Sequence, residues 1–444
     1  MCKVLSGMRE PHGPTFRRFV GKLGRNLTRF DDRGDVDVLV ARQAILDRYG
    51  KVQAYELLFR RDRATNSFDG TEAAAATMHV LSNTVMSIGV NKLLGGKKAF
   101  VNFDYALLAA NMHRTMPPEL IMIEILETVE PTEALVELCR SIRREGYTLA
   151  MDDYAGAPNF EALANVVDVI KVDIRLSSRE EQAGMIAKYK PKGIVMLAEK
   201  VETQEEYAWA RDAGYSLFQG YFFARPVMVR SKRIPANQAS RLRLLREGQR
   251  AELEFEGIET LISTDVSLTY MLLRYVNSAA FARRQEIQSI RSALMAIGEN
   301  ALRRWITIVT LPALASTKPS ELVTLSLVRA RFCEQLAELC GAACSDKAFL
   351  IGIFSLLEAL IDEPLESALR SLDLCREVTN PLLGLSSEND ALGGLYKLII
   401  CYEMGQWDEV CELATRLKIP QAAVGAAYLE STAWAAEAMT ARGA

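Results

Sequence analysis

Acidic and amide side chains recur at the ends of successive predicted β-strands in the first half of the chain. Glu56 follows KVQAY, Asn102 follows KAFV and Glu124 lies in LIMIE. The pattern continues with Asp152, Asp153, Lys171, Asp173, Glu199, Glu202 and Gln219. Strand ends that repeatedly carry charge are favoured where those ends converge, as they do in a (β/α) barrel. The pattern therefore predicts an active site at the carboxyl end of a barrel.

The spacing of apolar residues supports this fold. Short β-branched segments alternate with segments of helical period, which is typical of βα units. We expect an α/β, TIM-like (β/α) barrel over residues 36–230. From residue 231 to residue 444 only helical periods follow, which predicts an all-α domain. Residues 1–35 are locally basic and contain Gly and Pro, which favours a disordered, solvated tail.

Composition disfavours several classes of protein. With 444 residues, 49% of them hydrophobic, the chain is long enough for two or three globular domains. A net charge of −3 disfavours binding of a nucleic-acid polymer. No signal peptide follows the first Met, no apolar run is long enough for a transmembrane segment, and the eight cysteines form no CxxC pair. These features predict a cytoplasmic protein with free thiols.

The side chains at the strand ends indicate which cofactor the site would bind. Carboxylate and amide oxygens without clustered His or Cys favour Mg²⁺, Mn²⁺ or Ca²⁺ over zinc. A single carboxylate at a strand end is more often a surface charge or part of a structural ion pair. A cluster of unpaired carboxylates, however, is costly without cations. The set as a whole therefore predicts a divalent-cation site.

Seven motifs occur in order in the first half of the chain. They are YELLFR at 55–60, VNFD, IEILE, MDD, IKVD, AEKVE and QGYFFARP. Over nearly all of residues 36–230 these motifs resemble the EAL family of bacterial cyclic-di-GMP phosphodiesterases. The resemblance implies second-messenger signalling through hydrolysis of one phosphodiester of cyclic-di-GMP to linear pGpG, with two divalent cations, Mg²⁺ or Mn²⁺.

The same resemblance implies a role for each matched residue. The metal ligands would be Glu56, Asn102, Glu124, Asp152 and Asp153, with Asp152 reaching both cations. Glu199 would be the general base, and Lys171 would orient the attacking water or offset charge on the phosphate. The residues matched to substrate-binding positions are Gln43, Leu58, Arg60, Asp173 and Gln219, and those matched to supports of the metal ligands are Glu127 and Glu202.

Two features depart from the pattern of the EAL family. Residues 154–159 read YAGAPN where the family has Phe-Gly-Thr-Gly and then small hydroxyl residues, and Lys200 replaces a Gly. In the family that loop helps to seat the second cation and transmits information across a dimer, so the change weakens the implied homodimer.

Three functions stay open: an active phosphodiesterase, a catalytically degenerate cyclic-di-GMP receptor, and a scaffold that binds no nucleotide. The retained ligands favour the enzyme, the altered loop favours the receptor, and retained Arg60 and Gln43 disfavour the scaffold.

Four looser motifs follow in the second half: STDVSLTYMLLRYVNSAAF, QSIRSALMAIGENALRRW, LVRARFCEQLAE and FLIGIFSLLEAL. In this order they resemble the HDOD domain, a relative of HD phosphohydrolases that lacks their metal ligands. The only histidines are His12, His79 and His113, so no His ligand is available beyond residue 113. The resemblance implies a non-catalytic output domain that binds an unidentified protein partner. The apolar residues of 271–276 fit either a groove for a partner helix or ordinary bundle core.

Overall fold

Eight β-strands close into a barrel in chain order. The strands are β1 (Val40–Asp47), β2 (Val52–Phe59), β3 (Lys98–Phe103), β4 (Ile121–Ile125), β5 (Thr148–Met151), β6 (Val169–Asp173), β7 (Val195–Glu199) and β8 (Leu217–Gln219). Neighbouring strands from β2 to β8 run parallel, whereas β1 runs antiparallel to both β2 and β8. The predicted TIM-like barrel is confirmed, with its first strand reversed.

The structure is a computed structural model. It describes residues 39–59, 94–224, 236–250, 252–276, 290–314, 318–341, 344–372, 374–387 and 390–440. The predicted tail of residues 1–35, the predicted phosphate contact Arg60 and the predicted domain boundary at residue 230 lie outside these ranges. The domain boundaries therefore stay predictions. Among the described helices, none has the length and apolar character needed to cross a membrane.

An apolar layer fills the barrel lumen and sets the position of the residues above it. The layer consists of Ile45, Ala54, Phe100, Ala150, Val169 and Leu197, with Met122 and Leu217 packed against it. Side chains two positions apart on a strand point to the same face. Two residues further on, the parallel strands or the residues directly after them carry Glu56, Asn102, Glu124, Asp152, Lys171, Glu199 and Gln219. Because β1 runs in the opposite direction, the matching residue on this strand lies two positions before its lumen residue. That residue is Gln43, two positions before Ile45.

Helices on the outside of the barrel connect the parallel strands. They are α1 (Tyr105–Ala109), α2 (Glu133–Arg144), α3 (Glu161–Ala164), α4 (Arg179–Tyr189) and α5 (Gln204–Ala213), with short 3-10 helices at Met112–Thr115, Pro158–Phe160, Lys190–Lys192 and Tyr221–Ala224. Ser178 and Thr203 begin α4 and α5 with capping boxes, in which the cap hydroxyl accepts a hydrogen bond from the third residue of the helix and that residue's Glu side chain accepts one from the cap backbone.

After the barrel the described chain is entirely helical, as the sequence predicts. The helices are α6 (Ala236–Gln249), α7 (Phe255–Ser263), α8 (Val266–Val276), α9 (Ile290–Ile297), α10 (Glu299–Leu314), α11 (Ser320–Leu339), α12 (Ser345–Phe354), α13 (Leu357–Ile361), α14 (Leu365–Ser371), α15 (Arg376–Leu382), α16 (Ala391–Glu403), α17 (Trp407–Arg416) and α18 (Gln421–Thr440). Helix α11 is buried over most of its length, so it forms the centre of this helical region.

The helical region packs directly on the outer face of β1 and β2. The Tyr402 hydroxyl donates to the Val40 carbonyl oxygen at 3.0 Å, and the Arg42 backbone N–H donates to the Tyr428 hydroxyl at 3.2 Å. The Tyr55 hydroxyl donates to Glu321 Oε2 at 3.1 Å. The next residues along the strands, Gln43 and Glu56, point into the barrel. The strands that carry part of the predicted site are therefore held from behind by the helices.

Candidate active site

Lys171 lies at the centre of the predicted site with its ammonium among four carboxylates. Its Nζ is 2.8 Å from Glu199 Oε1 and 3.2 Å from both Glu56 Oε2 and Asp152 Oδ1, and it also contacts Glu124. Lys171 is almost completely buried, with 1% of its surface exposed. The structure therefore brings together five predicted residues that lie on, or directly after, β2, β4, β5, β6 and β7.

The electrostatics of this cluster reflect a shortage of positive charge. Burial raises the pKa of Glu199 to about 8, although the Lys171 ammonium opposes that shift. Burial, together with the charge of Glu56, raises the pKa of Glu124 well above its ordinary value. Burial works against the charge of Lys171, but the surrounding carboxylates outweigh it and raise the lysine pKa. Within the described part of the chain, the Lys171 ammonium is thus the only cationic group in contact with these four carboxylates.

The remaining oxygen atoms of the cluster fit a divalent cation. Five buried oxygens have no hydrogen-bond partner among the described residues: Asn102 Oδ1, Glu124 Oε2, Asp153 Oδ1, Glu199 Oε2 and Gln219 Oε1. Ligand atoms of Glu56, Glu124 and Glu199 lie within 4.8 Å of one another, and so do those of Asp152, Asp153 and Glu199. Buried acceptors without a donor cost free energy, and hard cations such as Mg²⁺ or Mn²⁺ take oxygen ligands. The donor set therefore fits two adjoining cation positions.

Gln219 joins the reversed strand β1 to the acidic cluster. Its Nε2 donates to Gln43 Oε1 at 2.7 Å and to Glu56 Oε2 at 2.6 Å. Gln43 reaches this position because β1 pairs residue 43 with residue 56. Both glutamines therefore lie beside the predicted metal ligand, where they can contact a bound substrate.

Lys200 forms ion pairs beside the group of Asp152, Asp153 and Glu199. Its Nζ is 2.7 Å from Asp173 Oδ2 and 3.4 Å from Asp153 Oδ2. Burial lowers the Lys200 pKa, but Asp173 and Asp153 outweigh this effect and raise it. Its backbone has a φ of +55°, a left-handed conformation that favours glycine, and this accords with the Gly of the resembled motif. The lysine thus keeps the backbone shape of the motif and adds a positive charge.

The altered loop after Asp153 is packed against the barrel helices. Tyr154 is buried, and its hydroxyl forms a hydrogen bond of 2.8 Å with the hydroxyl of Tyr189 at the end of α4. Asp153 itself has a φ of +41°. Pro158 begins a short 3-10 helix, where its fixed φ is tolerated. The loop is therefore an ordered part of the described structure.

The two predicted supporting residues lie in different places. Glu202 pairs with Arg175 at 3.0 Å, and the Arg175 backbone N–H donates to Asp173 Oδ1 at 2.9 Å. Glu127 is exposed in the turn after β4 and has no hydrogen bond or ion pair to another described residue. Sequence reasoning missed Arg175, although it follows Asp173 by two positions. The structure brings Glu202 to the site through this arginine and leaves Glu127 outside it.

A pocket at the rim of the barrel includes residues that the sequence did not indicate. Its volume is about 260 Å³, and its lining consists of Leu58, Phe59, Asn102, Leu126, Met404, Gly405 and Trp407. The first four belong to the barrel, and the last three lie where α16 ends and α17 begins. Only long-range packing joins these two segments, so no local motif identifies the pocket.

Family models match two parts of the chain. A model described as an EAL domain matches residues 101–226, and a model described as an HDOD domain matches residues 234–361. YuxH of Bacillus subtilis is 35% identical over 413 residues, which span 91% of this chain and 100% of YuxH. The chain belongs to the EAL–HDOD family. A second relative, the cyclic di-GMP phosphodiesterase CdgJ of Vibrio cholerae, is 34% identical over 89% of this chain and 91% of CdgJ.

One solved structure has a partial likeness to the chain. The manganese and cyclic-di-GMP complex of Klebsiella pneumoniae BlrP1 shares 22% identity and a TM-score of 0.37, covering 43% of the EAL–HDOD chain and 56% of BlrP1. The EAL model match begins at residue 101, so Gln43, Glu56 and Leu58 precede it. The strand register and contacts described above place Gln43 and Glu56 beside the acidic cluster of this EAL–HDOD protein, and Leu58 lines the rim pocket.

Proposed function

We propose that the barrel hydrolyses one phosphodiester of cyclic-di-GMP to linear pGpG with two divalent cations, Mg²⁺ or Mn²⁺. The observation that carries this proposal is the set of buried oxygens without hydrogen-bond partners around Lys171. The relative CdgJ, which covers most of this chain, bears the name cyclic di-GMP phosphodiesterase. A cytoplasmic location accords with this proposal and stays a prediction.

The chain offers a residue for each task in that reaction. Glu56, Asn102, Glu124, Asp152 and Asp153 would hold the cations. Bound cations neutralise phosphate charge and supply a Lewis acid. Glu199 would accept a proton from the attacking water, and Lys171 would stabilise the charge that develops on the phosphate. Gln43, Leu58, Asp173 and Gln219 would contact the nucleotide, with Arg60 as a predicted phosphate contact outside the described residues.

The test is hydrolysis by the purified full-length protein with and without divalent cations. We expect pGpG to accumulate in Mg²⁺ or Mn²⁺, and EDTA to reduce the rate by more than about a hundredfold, since removing even indirect supports of a metal site costs 10–100-fold. Binding of cyclic-di-GMP is measured in parallel by calorimetry. Binding without turnover in either metal would contradict the enzyme and leave the receptor. If the protein neither binds nor hydrolyses cyclic-di-GMP, the scaffold is the remaining function.

The receptor is a second candidate because of one specific contact. The Lys200 ammonium lies 3.4 Å from Asp153, a predicted ligand of the second cation. A tethered positive charge at that position competes electrostatically with a divalent cation. A site that holds its second cation weakly would bind the nucleotide and hydrolyse it slowly.

Lys200→Gly is expected to tighten binding of the weaker cation. The Lys200 side chain is 45% exposed, so solvent screens its charge. We therefore expect the affinity for the cation to increase by at most about five-fold. Manganese titration followed by electron paramagnetic resonance measures both affinity and stoichiometry. Lys188→Ala, which removes a surface pair with Glu161, is the matched control. Equal manganese affinity in the Lys200 variant and the wild type would contradict the competition.

We further propose that the helical half is a non-catalytic output domain that binds a protein partner. Its support is the HDOD match to residues 234–361 and the absence of any histidine beyond residue 113 in the sequence. A homodimer remains part of this proposal. The direct packing of α16 and α18 on β1 offers a physical route by which the helical half could influence the barrel.

A further inference from the structure

The rim pocket is formed jointly by the barrel and the helical region. Leu58 at the end of β2 and Asn102 on β3 supply one side, and the turn of residues 404–407 supplies the other. We call this segment the 404–407 turn. It joins α16 to α17 and contains the first residue of α17, Trp407. The pocket therefore opens beside a residue that the sequence predicts as a metal ligand.

The 404–407 turn lies directly on the barrel. Gly405 has a φ of +67°, and a Cβ atom added there would lie 3.4 Å from Leu58 Cδ1. The Gly405 N–H donates to the Tyr402 carbonyl at 3.1 Å, and the Gln406 N–H donates to the Cys401 carbonyl at 2.9 Å. Glycine thus permits the left-handed turn, and a Cβ atom at this position would make an ordinary van der Waals contact with Leu58.

Aromatic packing fixes Trp407 from the side of the barrel. Its ring lies edge to face with that of Tyr402, with centroids 5.2 Å apart. Tyr402 is fully buried and donates its hydroxyl hydrogen bond to Val40 of β1. Trp407 remains partly exposed at the pocket, and Met404 beside it is 50% exposed. A large aromatic surface is therefore held in place at the mouth of the site and is available to a ligand.

The chemistry of the pocket suits a planar heterocycle. Leucine, methionine and tryptophan side chains supply apolar faces, and Asn102, a predicted cation ligand, is also among the residues that line the pocket. The volume of about 260 Å³ is below the range of pockets that enclose whole ligands, so it suits one part of a larger molecule. Asn102 pairs in register with Glu124, so a phosphodiester at the carboxylates would place an attached base near this pocket.

We propose that the 404–407 turn is a wall of the nucleotide-binding site, and that Trp407 and Met404 contact one guanine base of cyclic-di-GMP. This inference rests on the proposed function, since it assigns a base-binding position to the same site. The helical region then contributes directly to substrate affinity. Trp407 binds the base and touches no reacting atom, so its loss changes KM and leaves kcat within about two-fold of the wild type.

Trp407→Ala in the full-length protein tests the inference. Base stacking on an aromatic side chain changes affinity by about five-fold to about a hundredfold, so Kd and KM for cyclic-di-GMP are expected to rise within that range. Manganese affinity is expected to stay at the wild-type value. Nucleotide binding should quench tryptophan fluorescence in the wild type and in the control Trp209→Ala, and the quenching should be smaller in Trp407→Ala. Trp407→Phe should recover most of the affinity.

A second variant keeps the test decisive if Trp407→Ala unfolds. Met404 is exposed, so Met404→Ala should fold, and a nucleotide affinity about two- to five-fold weaker is expected. Wild-type affinity in both the Trp407 and Met404 variants would overturn the inference, and so would a parallel loss of manganese affinity in Trp407→Ala. A wild-type protein that neither binds nor hydrolyses cyclic-di-GMP would instead overturn the proposed function.

Discussion

Replacement of Lys171 by methionine is expected to lower the free energy of unfolding by about 3–5 kcal/mol when divalent cations are removed. The variant keeps an apolar side chain of similar length but leaves Glu56, Glu124, Asp152 and Glu199 without the ammonium they share. Buried carboxylates without a cation are strongly destabilising. Urea unfolding in EDTA, with the variant and the wild type compared at one pH, measures the loss.

The loss is expected to grow as the pH rises. The folded-state pKa of Glu199, about 8, lies above its ordinary value of 4.5, so the folded protein holds this proton more tightly than the unfolded chain. The stability that the proton provides is lost as the pH rises through about 8. Without Lys171, protonation of the carboxylates is the remaining way to neutralise them. The deficit of the variant should therefore be larger at pH 8.5 than at pH 6.

Manganese should restore part of the stability of the Lys171 variant. A cation that binds the folded state alone stabilises it in proportion to the logarithm of its concentration over Kd. Hydrolysis should still fall by about 10²–10⁴-fold, because the bound cation does not replace the ammonium at its position. Lys188→Met removes a half-exposed ion pair and is the control, with an expected change below about 1 kcal/mol. Equal stability of Lys171→Met and the wild type in EDTA would contradict the role assigned to this lysine.

The residues that converge on Lys171 could be predicted because their signal is local. Each lies on or directly after a short strand, two positions beyond a residue of the lumen layer or one packed against it. The helical character of the second half was equally readable, since it depends on apolar period alone. These parts of the fold and site need only the order of the elements along the chain.

The parts that could not be predicted depend on contacts between distant segments. The spacing of apolar residues is the same for a strand that runs in either direction. The reversal of β1, which brings Gln43 opposite Glu56, therefore could not be predicted from the sequence. The approach of Gly405 to Leu58 joins residues almost at opposite ends of the chain. Glu127 differs in another way, because its motif position implies a supporting role but its side chain is exposed in the turn after β4, so that role stays a prediction.

Replacement of Glu403 by alanine is expected to reduce the free energy of unfolding by about 3–5 kcal/mol. Arg329 Nε donates to both Glu403 carboxylate oxygens at 3.0 Å, and its Nη2 donates to Oε2 at 2.6 Å. Only 5% of the Arg329 side chain and 4% of the Glu403 side chain are exposed. Burial works against the charge of Arg329, but Glu403 outweighs it and raises the arginine pKa. Because an arginine side chain keeps its charge in proteins, the variant buries a guanidinium without its carboxylate partner.

The same variant connects stability to the rim pocket. Glu403 is the last residue of α16 and directly precedes Met404, so its pairing with Arg329 of α11 fixes the start of the 404–407 turn. Glu403→Ala should therefore also weaken cyclic-di-GMP binding, whereas the exposed pair of Glu366 and Arg370 provides a control, Glu366→Ala, that should change neither property measurably. The double variant Arg329→Met with Glu403→Leu removes both charges and should recover much of the stability. A double variant as unstable as Glu403→Ala would show that packing at this position, and not the unpaired arginine, causes the loss.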